Sequence, residues 1–404
     1  MKVLMINSVC GIRSTGRICT DMAEMLEKQG HECKIAYGRE TVPQKYQKYA
    51  HRIGNGAGVR FDALMTRLFG NSGFNSKSAT KQFIQWVRDY APDVIHLHNI
   101  HGYYINVELL FDFLKEYGKP VVWTLHDCWA ITGRCAYFSM AGCEKWRTGC
   151  HHCQQKNVYP ENVLFDNSKR NWERKKKLFS GVKNMTLVTP SKWLAEIMGQ
   201  SFMGEYPVKV IPNGIDLHVF KPHESSFRKE YGLEDKKIIL GVASIWDRRK
   251  GYDDFLKLAG LLDDGHRIAM VGVSEKQKQS IPANVIGITR TNNIRELAEI
   301  YSSADVLVNP TYEDNYPTVN LEAQACGTPV ITYKTGGSVE SVPQENVVEQ
   351  GDLDGLVKKI SNLAAIGIGD IELNKESRYK EYIKLFGDCN EAAVFDKCSL
   401  PVQG

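Results

Sequence analysis

The feature that most constrains this chain is an alternation of strand-like and helix-like segments that runs through it twice. KVLMIN, CKIAY, DVIHLH, PVVWTL and MTLVTP are short apolar runs, with helical stretches near residues 17 to 29, 76 to 90, 105 to 117 and 166 to 180. After VKVIPNGID the alternation restarts with KIILGVAS, HRIAMVG, DVLVNP and PVITY, separated by helices near 251 to 263, 293 to 303 and 317 to 326. Apolar strands joined by helical crossovers form parallel sheets covered on both faces, so the fold class is α/β. A length of 404 residues exceeds one ordinary core. The expectation is two Rossmann-like domains, residues 1–200 and 201–375, followed by a helix in ESRYKEYIKLFGD, about 376–390. Residues 40–75 fit neither period and read as irregular.

Composition narrows the class. Hydrophobic residues at 43% and charged residues at 24% are ordinary for a soluble globular protein. Every apolar run falls short of the roughly 18 residues of a membrane span. The opening MKVLMIN reads as a first strand and lacks the long apolar core of a secretion signal, so the expected location is the cytoplasm. Charge is uneven: residues 1 to 200 hold 28 Lys and Arg against 17 Asp and Glu, and the remainder is net negative. The first half therefore favours anionic partners. Within it, SKRNWERKKKLF, residues 168 to 179, interleaves Trp172 and Phe179 with cations. That pattern suits peripheral contact with an anionic membrane at its inner face, and equally a solvated helix face. A nucleic-acid reader motif is lacking, so nucleic acid is not expected as a partner.

Open α/β sheets bind ligands beyond the carboxyl ends of their strands, so the following loops carry the candidate chemistry. The densest is YEDNYPTVNLEAQACGTPVITYKTGG, residues 312 to 337. Asp314 precedes a helix and Glu322 lies about two turns inside it. Pro317 fits a first helical position, so the Thr318 and Val319 N–H groups point out of a helix end that attracts phosphate. Carboxylates repel phosphate and suit hydroxyls, a sugar on one side and a ribose on the other. The Thr335-Gly336-Gly337 turn then offers close backbone approach to a ligand. In ASIWDRRKGYDDFL, Lys250 precedes a helix-opening glycine, and its ammonium is placed to sit over a pyrophosphate. An acidic helix start and a solvated basic patch are the ordinary readings of these two segments.

The first half has its own candidates. Gly11 and Gly16 in NSVCGIRSTGRI allow either a close ligand approach or a tight strand-to-helix turn. LHDCW places His126 and Asp127 after a strand, where His126 serves a sugar hydroxyl or a proton, or is a satisfied core histidine. His96, His98 and His101 in HLHNIHG lack a nearby carboxylate or cysteine, so they read as structural hydrogen-bonding groups. Ser191 in TPSKWL reads as a helix N-cap. GDLDG, residues 351 to 355, contains a DxD string of the kind metal-dependent GT-A enzymes use, but it reads as the cap of LVKKISNL.

Taken in chain order, the STG loop, HD after a strand, NGID, RKG, the acidic pair and the TGG turn resemble the retaining glycosyltransferases of family 4. The resemblance spans nearly the whole chain. It implies the GT-B architecture, two Rossmann-like domains facing each other across a cleft, with the last helix returning to the first domain. It implies transfer of a sugar, with retention of anomeric configuration, from a nucleotide-diphosphate-sugar to a glycan or lipid-linked saccharide in surface polysaccharide or glycoconjugate biosynthesis. The nucleotide-sugar is then a co-substrate, and catalysis needs no cofactor. By the same resemblance Gly16 lies close to the donor and His126 contacts the sugar. Lys250 and the Thr318 and Val319 amides bear the diphosphate, Asp314 orients the donor sugar, Glu322 holds the ribose, and Glu340 matches a family glutamate. Three departures stand out. Ser244 occupies the place of an arginine usual six residues before the lysine, so Arg248 or Arg249 supplies the second charge. Asp314 replaces a glutamate, and Pro317 replaces a glycine. The shorter carboxylate leaves room for a competing reading, a sugar or membrane-surface binding module that kept the fold and lost the reaction.

Eleven cysteines in a chain without a signal argue against a disulfide framework. Four crowd together as Cys135, Cys143, Cys150 and Cys153, ending in a CxxC. Their number and spacing suit a structural zinc ion, with reduced free thiols as the competing reading and His151 or His152 as substitute ligands. Because this segment follows His126 directly, it is placed to form a lid or an acceptor wall.

Overall fold

The computed structural model describes residues 1–155, 159–162 and 164–398. Seven strands build the first sheet: β1 (Lys2–Asn7), β2 (Glu32–Tyr37), β3 (Ala50–Arg52), β4 (Val94–Leu97), β5 (Val121–Thr124), β6 (Met185–Thr189) and β7 (Val208–Val210), in the order β3-β2-β1-β4-β5-β6-β7. Six build the second: β8 (Lys237–Val242), β9 (His266–Val271), β10 (Val285–Ile288), β11 (Val306–Asn309), β12 (Val330–Tyr333) and β13 (Val347–Val348), in the order β10-β9-β8-β11-β12-β13. The strand pairings in both sheets are parallel. Each sheet thus has the doubly wound order that reverses beside its first strand. The reversal falls between β1 and β4 in one sheet and between β8 and β11 in the other, and the carboxyl ends there are the expected ligand positions.

Contacts divide the chain into two units. One holds Met1–Pro190, Leu194–Ile211 and the last helix from Tyr379, and the other holds Ser191–Trp193 and Pro212–Arg378. The division falls after Ile211, beyond the expected residue 200, because β7 pairs with β6 and so completes the first sheet. In the first unit Val3, Met5, Ile35, Val94, Val122 and Val188 pack against Met22 and Leu26 of helix Arg13–Lys28. Tyr379, Tyr382, Leu385 and Phe386 of helix Lys375–Cys398 join the same core. In the second unit alternate strand residues serve opposite faces, as the period of two requires. Leu240 and Leu307 pack with Tyr301 and Leu321, whereas Ile239, Val306 and Val308 pack with Phe255 and Leu258.

Residues 40–75 are not irregular throughout. They contain β3 and the helix Gly56–Phe69, which opens at Asn55, whose Oδ1 accepts the Gly58 N–H at 2.9 Å, and closes at Gly70 in the left-handed region. Exposed Phe61 and Leu64 had blurred its period. The basic helix, Ser168–Phe179, also departs from expectation: Trp172, Lys175 and Phe179 are buried in the protein's own core, so its aromatic residues are not a membrane-facing surface. Among the described residues no helix is long and apolar enough to cross a membrane.

Candidate functional site

At the carboxyl end of β8 the chain turns through Asp247, whose Oδ1 accepts the Lys250 N–H at 2.9 Å, into a single 3-10 turn, Arg248–Lys250. Gly251 then adopts φ +73°, and a Cβ there would lie 2.2 Å from the Pro310 carbonyl oxygen, in the loop after β11. Only glycine allows both the backbone conformation and that approach. The two loops are further joined by the Tyr312 N–H donating to the Arg249 carbonyl at 2.8 Å and by the Arg249 guanidinium donating to the Glu313 carbonyl at 3.1 Å. As a result Lys250 Nζ meets Asp314 Oδ2 at 2.5 Å, both side chains being mostly buried. The sequence placed these residues in one site with separate tasks. Their direct ion pair was not legible there, because 64 residues separate them.

The acidic pair's helix runs Thr318–Ala325. Pro317 is its extended N-cap, one position earlier than expected, and it supplies no side-chain cap. The first-turn N–H groups of a helix lack intrahelical partners, so the Thr318 and Val319 amides remain the anion-directed end of this element. A buried polar network fixes the helix in place. Asn309 Nδ2 donates to Asn320 Oδ1 at 2.9 Å, Asn320 Nδ2 to Ser341 Oγ at 2.8 Å, and Gln324 Nε2 to the Ser341 carbonyl at 2.8 Å. Glu322 is buried on this helix and accepts from Tyr301 Oη at 2.9 Å. Sequence reasoning missed the network, since short polar side chains give no periodic signal.

The glycines of the TGG turn serve a backbone contact. Added Cβ atoms would lie 2.2 Å from the Asp314 carbonyl at Gly336 and 1.9 Å from the Asn315 carbonyl at Gly337. These glycines let backbone approach backbone, and they hold the Asp314 loop. Glu340 follows in the same segment, and its Oε2 and Oε1 accept the Lys192 and Trp193 N–H groups, each at 2.8 Å. The Ser191 hydroxyl donates to Asn315 Oδ1 at 2.5 Å, so the Ser191–Trp193 turn is held within the second unit. In the NGID segment, Asn213 Nδ2 donates to the Tyr316 carbonyl at 3.0 Å. Asp352 accepts the Gly355 N–H at 2.8 Å, the capping role read for GDLDG.

In the first unit the corresponding strand ends carry imidazoles. His98 Nδ1 and His126 Nε2 stand 3.0 Å apart, one donating and the other accepting, and the His96 and His98 rings are 4.1 Å apart. His96 Nε2 pairs with Thr124 Oγ1 at 2.8 Å, whose hydroxyl donates to Tyr382 Oη at 3.1 Å. A carboxylate does accompany these histidines, contrary to expectation: Asp127 Oδ2 lies 2.9 Å from His101 Nε2. Burial pushes His126 down to about 4, with Asp127 opposing, and His96 down to about 3. Burial likewise holds His98 well below its ordinary value. Burial alone would raise Asp127, but His101 and the Trp129 N–H outweigh it and keep the carboxyl below the usual range. Gly16 lies in the first turn of helix Arg13–Lys28, where its carbonyl accepts the Gly11 N–H at 3.0 Å. A Cβ on Gly16 would press on Val9 and Gly11, so this glycine tightens the loop after β1.

The four clustered cysteines are free thiols that line one cavity of about 20 Å³ in the first unit.

Two family models match the chain. One described as "Glycosyltransferase Family 4" covers residues 15–219, half of the sequence, and one described as "Glycosyl transferases group 1" covers residues 236–365. A relative in Escherichia coli (strain K12), "Putative colanic acid biosynthesis glycosyl transferase WcaC", is 28% identical over 378 residues, covering 86% of this chain and 89% of that one. Among solved structures, sucrose-phosphate synthase from Thermosynechococcus elongatus superposes with a TM-score of 0.70 at 16% identity, covering 97% and 99% of the two chains. Anabaena HepE, solved in complex with UDP and glucose, does so with a TM-score of 0.61 at 14% identity, covering 99% and 100%. At such identities the structural likeness speaks for the GT-B fold alone.

Proposed function

From the premise that this chain belongs to glycosyltransferase family 4, we propose that it moves a sugar from a nucleotide-diphosphate-sugar to a saccharide or lipid-linked acceptor, with retention at the anomeric carbon. The observation that carries the reading is the meeting of Lys250 and Asp314 at the β8/β11 reversal. One cation and one carboxylate in contact serve a donor that is anionic at its diphosphate and hydroxylated at its sugar. Lys250 and the Thr318 and Val319 amides take the diphosphate charge, with Arg249 beside them. Asp314 accepts from a sugar hydroxyl and Glu322 from the ribose, and Glu340 holds the Lys192 turn near Asn315 through its two backbone bonds. As the donor's C1–O bond breaks, the acceptor oxygen bonds C1 and its proton passes to the leaving phosphate oxygen, so no protein nucleophile is needed. His126, kept neutral, hydrogen-bonds a sugar hydroxyl, and Gly16 keeps the β1 loop compact beside it.

The relative's name, which concerns colanic acid, supports a role in polysaccharide biosynthesis. Peripheral binding to an anionic membrane is part of the proposal, relocated from the basic helix. It rests on exposed Phe61, Leu64 and Phe165 near exposed Arg60 and Arg67, and sedimentation with anionic but not neutral vesicles is the expected result.

The test is a panel of nucleotide-sugars in a thermal-shift assay, followed by nucleotide release with and without a mixed acceptor pool. One stabilising donor with acceptor-dependent release is expected. Stabilisation with no release under any acceptor would favour the binding-module reading.

A further inference from the structure

The segment from Thr132 to Asn167 contains no helix or strand among its described residues. Stretches of this length without regular structure are uncommon inside compact domains unless something ties them down. Yet this one carries buried side chains: Phe138 and Trp146 stack with ring centroids 5.1 Å apart, and Trp172 Nε1 donates to the Trp146 carbonyl at 3.0 Å. Its turns are set by local bonds. Lys145 Nζ donates to the His151 and His152 carbonyls at 3.0 and 3.2 Å, and the Cys153 and Ser168 N–H groups both donate to Asp166, at 2.7 and 3.0 Å.

Cys135, Cys143, Cys150 and Cys153 converge on the one small cavity, whose volume of about 20 Å³ suits a single occupant the size of a water or an ion. Burial holds the Cys135 and Cys150 thiols above the ordinary range, so without an ion they stay protonated, and polar groups stand around the cavity. The Gly133 N–H donates to Cys150 Sγ at 3.2 Å, and a Cβ on Gly133 would lie 2.9 Å from the Cys150 Cβ, so glycine is required for that approach. Ser168, which lines the cavity and is 2% exposed, has a hydroxyl with no hydrogen-bond partner. Lys175 is fully buried, donates to the Trp129 and Thr132 carbonyls at 2.6 and 2.9 Å, and is within electrostatic reach of Cys150 and Cys135. A buried ammonium is costly without negative charge nearby.

We propose that Cys135, Cys143, Cys150 and Cys153 bind one structural zinc ion that cross-links residues 135–153 of the first unit. Binding converts four thiols to thiolates, and four protons pass to solvent. The resulting centre is doubly negative, which the Lys175 ammonium and the Gly133 N–H offset, while the Ser168 hydroxyl donates to a bound sulfur. Four sulfur ligands leave no open coordination position, so the ion is not catalytic. Among the described residues no group of three or more His, Cys, Asp and Glu side chains is placed to hold a metal ion as it stands. The thiols must therefore close in by side-chain rotation when the ion enters, and ordering of the segment is then coupled to metal binding.

The test is elemental analysis of the full chain purified under reducing conditions with neither metal nor chelator added. One zinc per chain is expected. Cys143→Ser and Cys153→Ser should each lose it, and Cys326→Ser, in the other unit, should keep it. Should the serine variants fail to fold, replacing the metal of the native chain with cobalt decides, because four thiolates around cobalt give intense sulfur charge-transfer and tetrahedral visible bands. Zinc at trace level together with absent cobalt–thiolate bands would overturn the proposal, as would a disulfide between any two of the four under the same reducing conditions.

Discussion

The β1/β4 and β8/β11 reversals share one strand order and oppose each other in electrostatics. At the first, buried His96 and His98 crowd half-buried His126, and all three are held toward the neutral form. At the second, Lys250 and Asp314 face each other as a cation and an anion on loops bound together by Gly251. Strand order therefore sets where a ligand can sit, and the loop residues set what kind of ligand it can be. A neutral, hydrogen-bonding end suits sugar hydroxyls, and a charged end beside a helix N-terminus suits a diphosphate.

The sharpest way to break that contrast is to remove the charge. Lys250→Ala and Asp314→Ala should each lower kcat/KM by about 100-fold or more, the usual scale for losing one preorganised electrostatic group, with the melting temperature nearly unchanged. Turnover close to that of the native chain in the double variant would remove the site assignment.

Next in size is the loop junction. Gly251→Val adds both a strained φ and a clash with Pro310, and should destabilise the second unit by on the order of 2–4 kcal/mol. Chemical denaturation measures it; a change within experimental error would mean the two loops are not held together there.

The histidines provide a test at the other reversal. Their folded values are depressed below the ordinary 6.5, so the unfolded chain binds more protons between about 6.5 and about 4 for His126, and down to about 3 for His96. Stability is then fully present above pH 6.5 and lost as pH falls through the folded values, by at most about 1.4 kcal/mol per pH unit for each histidine. Melting temperature followed from pH 8 to pH 4 should drop, and His98→Gln should flatten the slope; an unchanged slope would contradict the buried neutral string.

The smallest effect expected is at Glu340. Glu340→Ala should cost about 1 kcal/mol through the loss of its bonds to the Lys192 and Trp193 N–H groups. A large rise in donor KM with unaltered stability would assign it to the ligand instead.

These contrasts also mark how far the sequence could be read. Both parallel sheets and their main helices were legible, because continuous apolar runs and amphipathic helices impose strong patterns. The edge strands β3, β7, β10 and β13 were not, since most of their residues are only partly buried, whereas the equally short β4, β5, β11 and β12 are buried throughout. At the site, the residue types and their order were legible in RKG, in the acidic pair and in HD. Their partners were not. Lys250 with Asp314, Asp127 with His101 and Glu340 with the Lys192 turn are all long-range meetings that only the folded chain makes, and the glycines of the TGG turn pack against a neighbouring loop that no local pattern announces.

The most direct measurement is calorimetric titration of the native chain, Lys250→Ala and His126→Ala with a panel of nucleoside diphosphates. The account predicts that at least one diphosphate binds the native chain, that Lys250→Ala weakens it by about tenfold or more, roughly 1.4 kcal/mol, and that His126→Ala leaves it nearly unchanged. Unchanged affinity in Lys250→Ala, or a loss confined to His126→Ala, would contradict the assignment of the charged reversal to the donor.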